Sequence, residues 1–423
     1  MNNPFDVLIV GAGVAGLTAA QELSAAGLRV LLLEACDRVG GRIFTHHTAK
    51  YPVELGAEFA HGCPPQIFSL VEGEGLRLAE LEWKIARRKN NRWTDGSETL
   101  ESAERLMADM RAGQDDESFQ ELIDHTEASP EVKEQALGFV EGFHAADPRR
   151  VSVHSLIKSN AADEQIEGDR QFRFAEGYES LVKAISRRIN WDRCHLRLGT
   201  PATEIHWDTK RVLCKTSVGD DVQADKAIIT VPLGVLKAGG LRFTPTLPQK
   251  EKALQKLEMG PAVRACLCFR AKFWESEPRL RDVSFMVTDG PHFPAWWTSH
   301  PLPFPILTGW AAGKHALALG NLSSEQVIHR AVESLAQTFG MDIARLKGEL
   351  ESGFTHNWQA DPFSRGAYSY ALVGGSNAGA ELGAAVDNTL FFAGEATDSS
   401  GHNGTVHGAI ASGKRAAREV LGN

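Results

Sequence analysis

The stretch that decides the reading of this chain runs Phe5-Asp-Val-Leu-Ile-Val10, Gly11-Ala-Gly13-Val-Ala-Gly16, Leu17 to Ala26, Gly27 and Arg29-Val-Leu-Leu-Leu-Glu34. Residues 5–10 form an apolar run of strand length. Residues 17–26 are rich in Ala and Leu and read as a helix, which Gly27 ends as glycine does just past a helix. Residues 29–34 are a second apolar strand. Strand, glycine turn, helix and strand together predict a parallel α/β sheet. Within the turn, Gly11 permits the tight bend and Gly13 lets the backbone approach a pyrophosphate. Gly16 lets helix and strand pack closely, and Ala15 shares the loop. The helix then presents the positive end of its dipole to the phosphates. Glu34 ends the second strand, where a carboxylate can accept hydrogen bonds from ribose hydroxyls. A lone GxGxxG is weak. Flanked by strand, helix, second strand and acid, it predicts a dinucleotide site.

Working outward, the 423 residues suggest two or three domains, and a chain this long buries a core without disulfide or metal staples. The net charge of −9 argues against a general nucleic-acid or anionic-membrane binder, which carries a basic excess. The six cysteines (Cys36, Cys63, Cys194, Cys214, Cys266 and Cys268) include no CxxC pair, so they read as reduced thiols rather than a zinc or disulfide framework. No apolar run is long enough to span a membrane. The chain enters its first strand almost at once and ends in a polar Leu-Gly-Asn, so the expectation is a cytoplasmic protein with no membrane partner. There is no HExxH, and no metal site is expected.

Further along, residues 98–145 are spaced like amphipathic helices. Residues 223–236 hold an apolar strand followed by a Pro-Gly turn. Residues 260–310 alternate apolar and polar and suggest a mixed sheet; residues 324–350 read as one or two helices. The last stretch has a strand at 389–393, a glycine loop and a final helix. No internal repeat or linker is visible. The sheet domain is therefore expected to be assembled from separated pieces of chain.

Asp37-Arg38-Val39-Gly40-Gly41-Arg42 follows the acid, and here the sequence resembles the flavin-containing amine oxidase family, with its E-A-x-x-R-x-G-G-R run. Cys36 departs from that run, standing where the family often has Arg. The resemblance continues through Leu55-Gly56-Ala57-Glu58-Phe59, Pro232-Leu-Gly-Val-Leu-Lys237, Phe273-Trp274 and Trp358-Gln-Ala-Asp-Pro362. It closes with Gly366-Ala-Tyr368-Ser-Tyr370, Phe392-Ala-Gly394-Glu395-Ala-Thr397 and Gly404-Thr-Val-His-Gly408-Ala. It implies an α/β fold. A Rossmann-like FAD-binding domain would comprise residues 1–78, 172–240 and 386–423. A mixed α+β substrate domain with a helical subregion would comprise 79–171 and 241–385.

For the cofactor, the resemblance implies FAD contacts from Gly11, Gly13, Ala15, Gly16, Glu34, Arg42, Ala57, Glu58, Phe59, Ala202, Trp358, Gly394, Glu395, Thr405 and Val406. Glu395 would meet the ribityl–phosphate part, and Thr405 and Val406 would face the flavin at the start of the last helix. Ala367 stands where monoamine oxidases carry a flavin-linked cysteine, so the FAD is expected to be non-covalent.

For catalysis, it implies Lys237 as the lysine holding a water at the flavin, Tyr368 as one aromatic wall with Thr405 opposite it, and His61 as a histidine in the substrate tunnel, as in animal polyamine oxidases. Glu58 is a candidate for a distal ammonium, and Trp297 and Trp310 for the channel walls. The reaction implied is hydride removal beside an amine nitrogen, imine hydrolysis and reoxidation by O2 to hydrogen peroxide. The substrate leans toward polyamines or other primary and secondary amines. Histones are discounted, because the chain has no room for the demethylases' helical tower and its charge is wrong for chromatin. The alternatives are an L-amino-acid oxidase or desaturase on the same fold, with Arg173 or Arg365 meeting a substrate carboxylate, and a non-catalytic flavoprotein scaffold. Oligomeric state is not legible.

Overall fold

In the computed structural model, which describes residues 5–108, 110–111 and 115–422, the opening unit is the strand Phe5–Val10, the helix Val14–Ala25 and the strand Val30–Leu33. The first strand pairs in parallel with Val30–Leu33 on one side and Val222–Ile229 on the other. Cys194–Arg197 extends the sheet in parallel beyond Val30–Leu33. Val222–Ile229 is the branch point. Its first residues pair with an antiparallel meander made of Ala202–Trp207 and Val212–Thr216, and its last residues pair in parallel with Leu390–Phe392. Val30–Leu33 and the last residues of Phe5–Val10 and Val222–Ile229 are buried on both faces, as a sheet covered by helices requires, while the first half of Val222–Ile229 alternates where it meets the meander. The strand Arg242–Thr244 joins the edge of this sheet, so the sheet reaches past the expected boundary at residue 240.

A second, seven-stranded sheet is built from residues 85–95 and 262–354. Its central strand, Ala262–Phe269, is buried throughout and pairs antiparallel with Ile306–Ala312 and Leu350–Phe354. A small three-stranded sheet of Phe59–His61, Gln171–Phe174 and Leu78–Glu80 lies apart from both.

The helices Ser97–Ala108, Phe119–His125, Pro130–Phe143 and Val153–Glu164 form the expected helical subregion. Serines 118, 129 and 152 cap the last three by accepting a backbone N–H, and Ser118 forms a capping box with Glu121. Their apolar sides meet in one cluster around Phe119, Ile123, Val140 and Leu156.

The last helix, Val406–Leu421, crosses the first closely. A Cβ at Gly413 would stand 2.3 Å from the carbonyl oxygen of Ala15, so only glycine allows this approach. That crossing brings the start of the last helix to the glycine turn.

Candidate active site

One cavity of about 2060 Å³ is lined by both large sheets, the helical subregion and the start of the last helix. Ligand pockets usually measure about 300–1,000 Å³, so this one has room for two molecules of that size.

One end is made of backbone. Gly11 has φ +104°, and a Cβ there would meet Thr230 Oγ1 at 2.6 Å. A Cβ at Gly16 would stand 2.0 Å from the Gly11 carbonyl oxygen. At Gly13 a Cβ would meet nothing within 4 Å, so the turn leaves open space where a pyrophosphate would lie. The Gly40–Gly41 pair folds over this turn, with the Gly40 N–H donating to Ala12 O at 2.9 Å. Glu34 lines the cavity, and its two oxygens accept from the Ala12 and Cys36 amides at 2.7 and 2.9 Å. Each oxygen keeps a second lone pair for a ribose hydroxyl. Ala15, Ala202 and Gly394 line the same end. So does Cys36, whose thiol burial pushes up to about 11, so it supplies no charge where an arginine would. Thr405 caps the last helix, accepting from the Gly408 N–H at 3.0 Å, and Val406 follows it into the cavity wall. These features suit a dinucleotide.

Glu395 lines the cavity, and its carboxylate is also held by the protein. It is 5% exposed, and its carboxylate is engaged by Arg42 at 2.8 Å, Ser369 Oγ at 2.6 Å and the Gly404 N–H at 2.9 Å. It ties three loops together at the cavity wall, and Arg42 also donates to Ala367 O at 2.8 Å. Both residues line the cavity as a scaffold. Trp358 does likewise, its Nε1 donating to Leu55 O at 2.8 Å and so holding the segment that carries Ala57.

The other end of the cavity is made of side chains. Tyr368 lines it beside Gly404, with its hydroxyl donating to Phe143 O at 2.6 Å. Phe59, Trp297 and Trp310 form an aromatic wall, with ring centroids 5.6 Å apart for Phe59–Trp297 and 5.7 Å for Trp297–Trp310. His61 meets Phe143 edge-on at 5.5 Å; burial lowers its imidazole pKa, and its Nδ1 has no hydrogen-bond partner. Thr405 and Tyr368 are therefore brought together, and His61 lines the same cavity.

Lys237 is not part of the site. It ends the five-residue helix Leu233–Lys237, and its Nζ reaches Leu257 O at 2.5 Å and Glu258 at 3.2 Å. Val235 of that helix lines the cavity. Two residues on, about 200° around the helix, Lys237 faces the other way.

Glu58 is not free to meet an ammonium. Its carboxylate is paired with both Arg173 and Arg264 and accepts from Trp297 Nε1 at 3.0 Å. Arg173 also donates to Thr298 O at 2.6 Å, so it is not available to a substrate carboxylate either.

Sequence reasoning missed Arg264, a fully buried cation in the cavity wall that also donates to Gly56 O. Its signal was present: one arginine inside the otherwise apolar strand Ala262-Val-Arg-Ala-Cys-Leu-Cys-Phe269. Burial lowers its pKa and takes Arg173 down to about 9, and it pushes the neighbouring Glu54 up to about 7.

With this geometry in hand, the comparisons are consistent with one another. The family model "Flavin containing amine oxidoreductase" matches residues 14–106 and 80–421. Polyamine oxidase 4 of Oryza sativa subsp. japonica is 29% identical over 99% of this chain and 88% of its own length. Human lysine-specific histone demethylase 2 is 27% identical over 98% of this chain and 53% of its own. A putrescine oxidase solved with putrescine shares the fold, with a TM-score of 0.82, 21% identity and 99% of each chain covered. The turn shaped for a dinucleotide opens into an aromatic chamber, the family model matches nearly the whole length, and this chain belongs to that family: the flavin-containing amine oxidoreductases, enzymes that oxidise amines.

Proposed function

We propose that the protein holds FAD without a covalent bond and oxidises polyamines or related primary and secondary amines. The overall reaction takes amine, water and O2 to a carbonyl compound, a smaller amine or ammonia, and hydrogen peroxide. The observation that carries this reading is the continuity of the cavity from the glycine turn to the Tyr368, Trp297 and His61 chamber. The similarity to plant polyamine oxidases supports the substrate class.

When bound, FAD supplies the hydride acceptor, and the protein's part is to position and desolvate the amine. The nitrogen must be unprotonated for its lone pair to assist C–H cleavage. Tyr368, Phe59, Trp297 and Trp310 surround it with apolar surface, which penalises the ammonium form. The His61 imidazole, held neutral by burial, can accept a hydrogen bond from the amine. The N-terminal amides of the last helix support negative charge at the cradle. Cys36, the one cavity-lining cysteine among the described residues, sits with Glu34 at the dinucleotide end, which supports non-covalent FAD. The amino-acid oxidase reading is weakened because Arg173 is occupied, which leaves Arg365 at the exposed rim. All six cysteines are free thiols, as a cytoplasmic protein would have, and no described helix is long and apolar enough to cross a membrane.

The test is anaerobic mixing of the yellow protein with spermine, acetylated spermine, an aryl amine and an amino acid, following flavin absorbance. Bleaching by the polyamines is expected. Bleaching by the amino acid alone would replace the proposal with the amino-acid oxidase. Acid precipitation is expected to release the flavin into the supernatant.

A further inference from the structure

We propose that His61, Gln171 and His407 form a cluster of open hydrogen-bond acceptors that takes the N–H groups of the reacting amine, so that the protein selects primary amines over secondary and tertiary ones. The inference rests on the amine-oxidase reading above and narrows its substrate class.

His61 and Gln171 are direct cross-strand partners in the small three-stranded sheet, so their side chains stand as neighbours on one face of it. Both line the cavity. Gln171 is 4% exposed and its Oε1 has no hydrogen-bond partner; the Nδ1 of His61 is likewise buried and open. His407 sits in the first turn of the last helix, directly after Val406, and also lines the cavity. It is 2% exposed, and its Nε2 is open. The ring of His402 packs edge-on against it, with centroids 4.6 Å apart. His61 is near enough for its charge to act on His407.

Buried polar groups in folded proteins are nearly always paired, so open atoms of this kind on one cavity mark a place where a ligand completes the bonding. The polar atoms of the aromatic wall are, by contrast, committed. The Tyr368 hydroxyl donates to Phe143 O, Trp297 Nε1 to Glu58, and Trp310 Nε1 to Gly142 O at 2.8 Å. The wall therefore meets the carbon chain of a substrate, and the cluster meets its nitrogen.

The chemistry of the open atoms names the group they take. An amide oxygen only accepts. Burial lowers the pKa of both imidazoles, His407 to about 3, so each ring is neutral and keeps one lone pair, which its tautomer can place on the open nitrogen. The cluster thus offers acceptors without charge. A neutral amine is the matching partner. Its lone pair has to stay free to assist C–H cleavage, and its N–H groups need acceptors once water is stripped away. A primary amine donates two such bonds, a secondary amine one and a tertiary amine none. An amine that lacks an N–H leaves a buried acceptor unpaired, which is the costly case.

The test follows anaerobic flavin reduction in the FAD-loaded protein by butylamine, N-methylbutylamine and N,N-dimethylbutylamine, which share a carbon chain and differ in the number of N–H groups. Concentrations are counted as unprotonated amine. In wild type the half-saturating concentration is expected to rise about five-fold for each N–H removed. Gln171→Met and His407→Phe, which lack the acceptor, should each raise it about five-fold for butylamine and leave the dimethyl amine unchanged. His407→Asn, which keeps an acceptor, should recover most of the loss. Wild-type indifference to the number of N–H groups, or a variant that weakens all the amines alike, would overturn the cluster and leave the amine oxidase standing. The flavin spectrum of each amine-free variant should match wild type; a shift would assign the open atom to the cofactor and overturn its role toward the amine. Should a variant lose its flavin, the wild-type series still decides. Failure of every amine to reduce the wild-type flavin would overturn the functional reading and the cluster with it.

Discussion

The two ends of the cavity are built by opposite means. The dinucleotide end is backbone: Gly11, Gly13 and Gly16 in one turn, the Gly40–Gly41 loop over it, and helix N-termini behind it. The amine end is side chains from distant parts of the chain, with Glu58, Arg173, Arg264 and Trp297 joined in one buried polar knot. A backbone site tolerates no added atoms but needs few particular side chains. A side-chain site tolerates local change but fails when one member of a charge set is removed. Four experiments bear on this contrast.

The largest effect is expected at Gly16→Val. Its Cβ would have to occupy space 2.0 Å from the Gly11 carbonyl oxygen, which neither the strand nor the helix can yield. The protein should be recovered without flavin, measured as the absorbance ratio at the flavin and protein bands. Retention of stoichiometric flavin would show that the turn can open.

Glu58→Gln comes next. It leaves Arg173 and Arg264 buried with no counter-ion, and breaking a buried pair costs about 3–5 kcal/mol. Denaturant unfolding of the holoprotein would read this loss. A loss below about 1 kcal/mol, the worth of a surface pair, would mean that water reaches the knot.

A smaller, pH-dependent effect belongs to the imidazoles. Burial takes His144 from an ordinary 6.5 to about 4, so between these values the unfolded chain binds more protons than the folded one. The stability held in the neutral ring is complete above pH 6.5 and drains as pH falls toward 4. The midpoint temperature of wild type should therefore drop across that window, and His144→Phe should flatten the slope. An unchanged slope would show that His144 is already hydrated.

Lys237→Met should do least. The residue lies outside the cavity and makes a half-exposed pair with Glu258, so a change of at most about 1 kcal/mol in stability and no change in flavin reduction are expected. A fall of about a hundred-fold in the reduction rate, some 2.7 kcal/mol in the barrier, would return the lysine to the active site.

Legibility followed the same division. The opening strand–turn–helix–strand unit was readable because every residue that makes it lies within one short window. The helices within residues 98–145 were readable from their amphipathic spacing, whereas the serine caps were seen only in the structure. Lys237 misled because a motif carries no information about which side of a five-residue helix faces a cavity. Glu395 lines the cavity, but that its carboxylate is engaged by Arg42, Ser369 and Gly404 depends on bringing Arg42 across 353 residues of chain.

What the sequence determined alone was the parallel α/β start, the glycine turn and the family resemblance, because hydrophobic periodicity and glycine's conformational freedom act over a few residues. What only tertiary structure decided was the state of the charged groups. Glu58 looks like a free acid and Arg264 like a misplaced base until Phe59–His61, Gln171–Phe174 and Ala262–Phe269 come together and bury them. The physical reason is that a charge takes its character from its neighbours once water is removed, and those neighbours are set by the fold and not by adjacency along the chain.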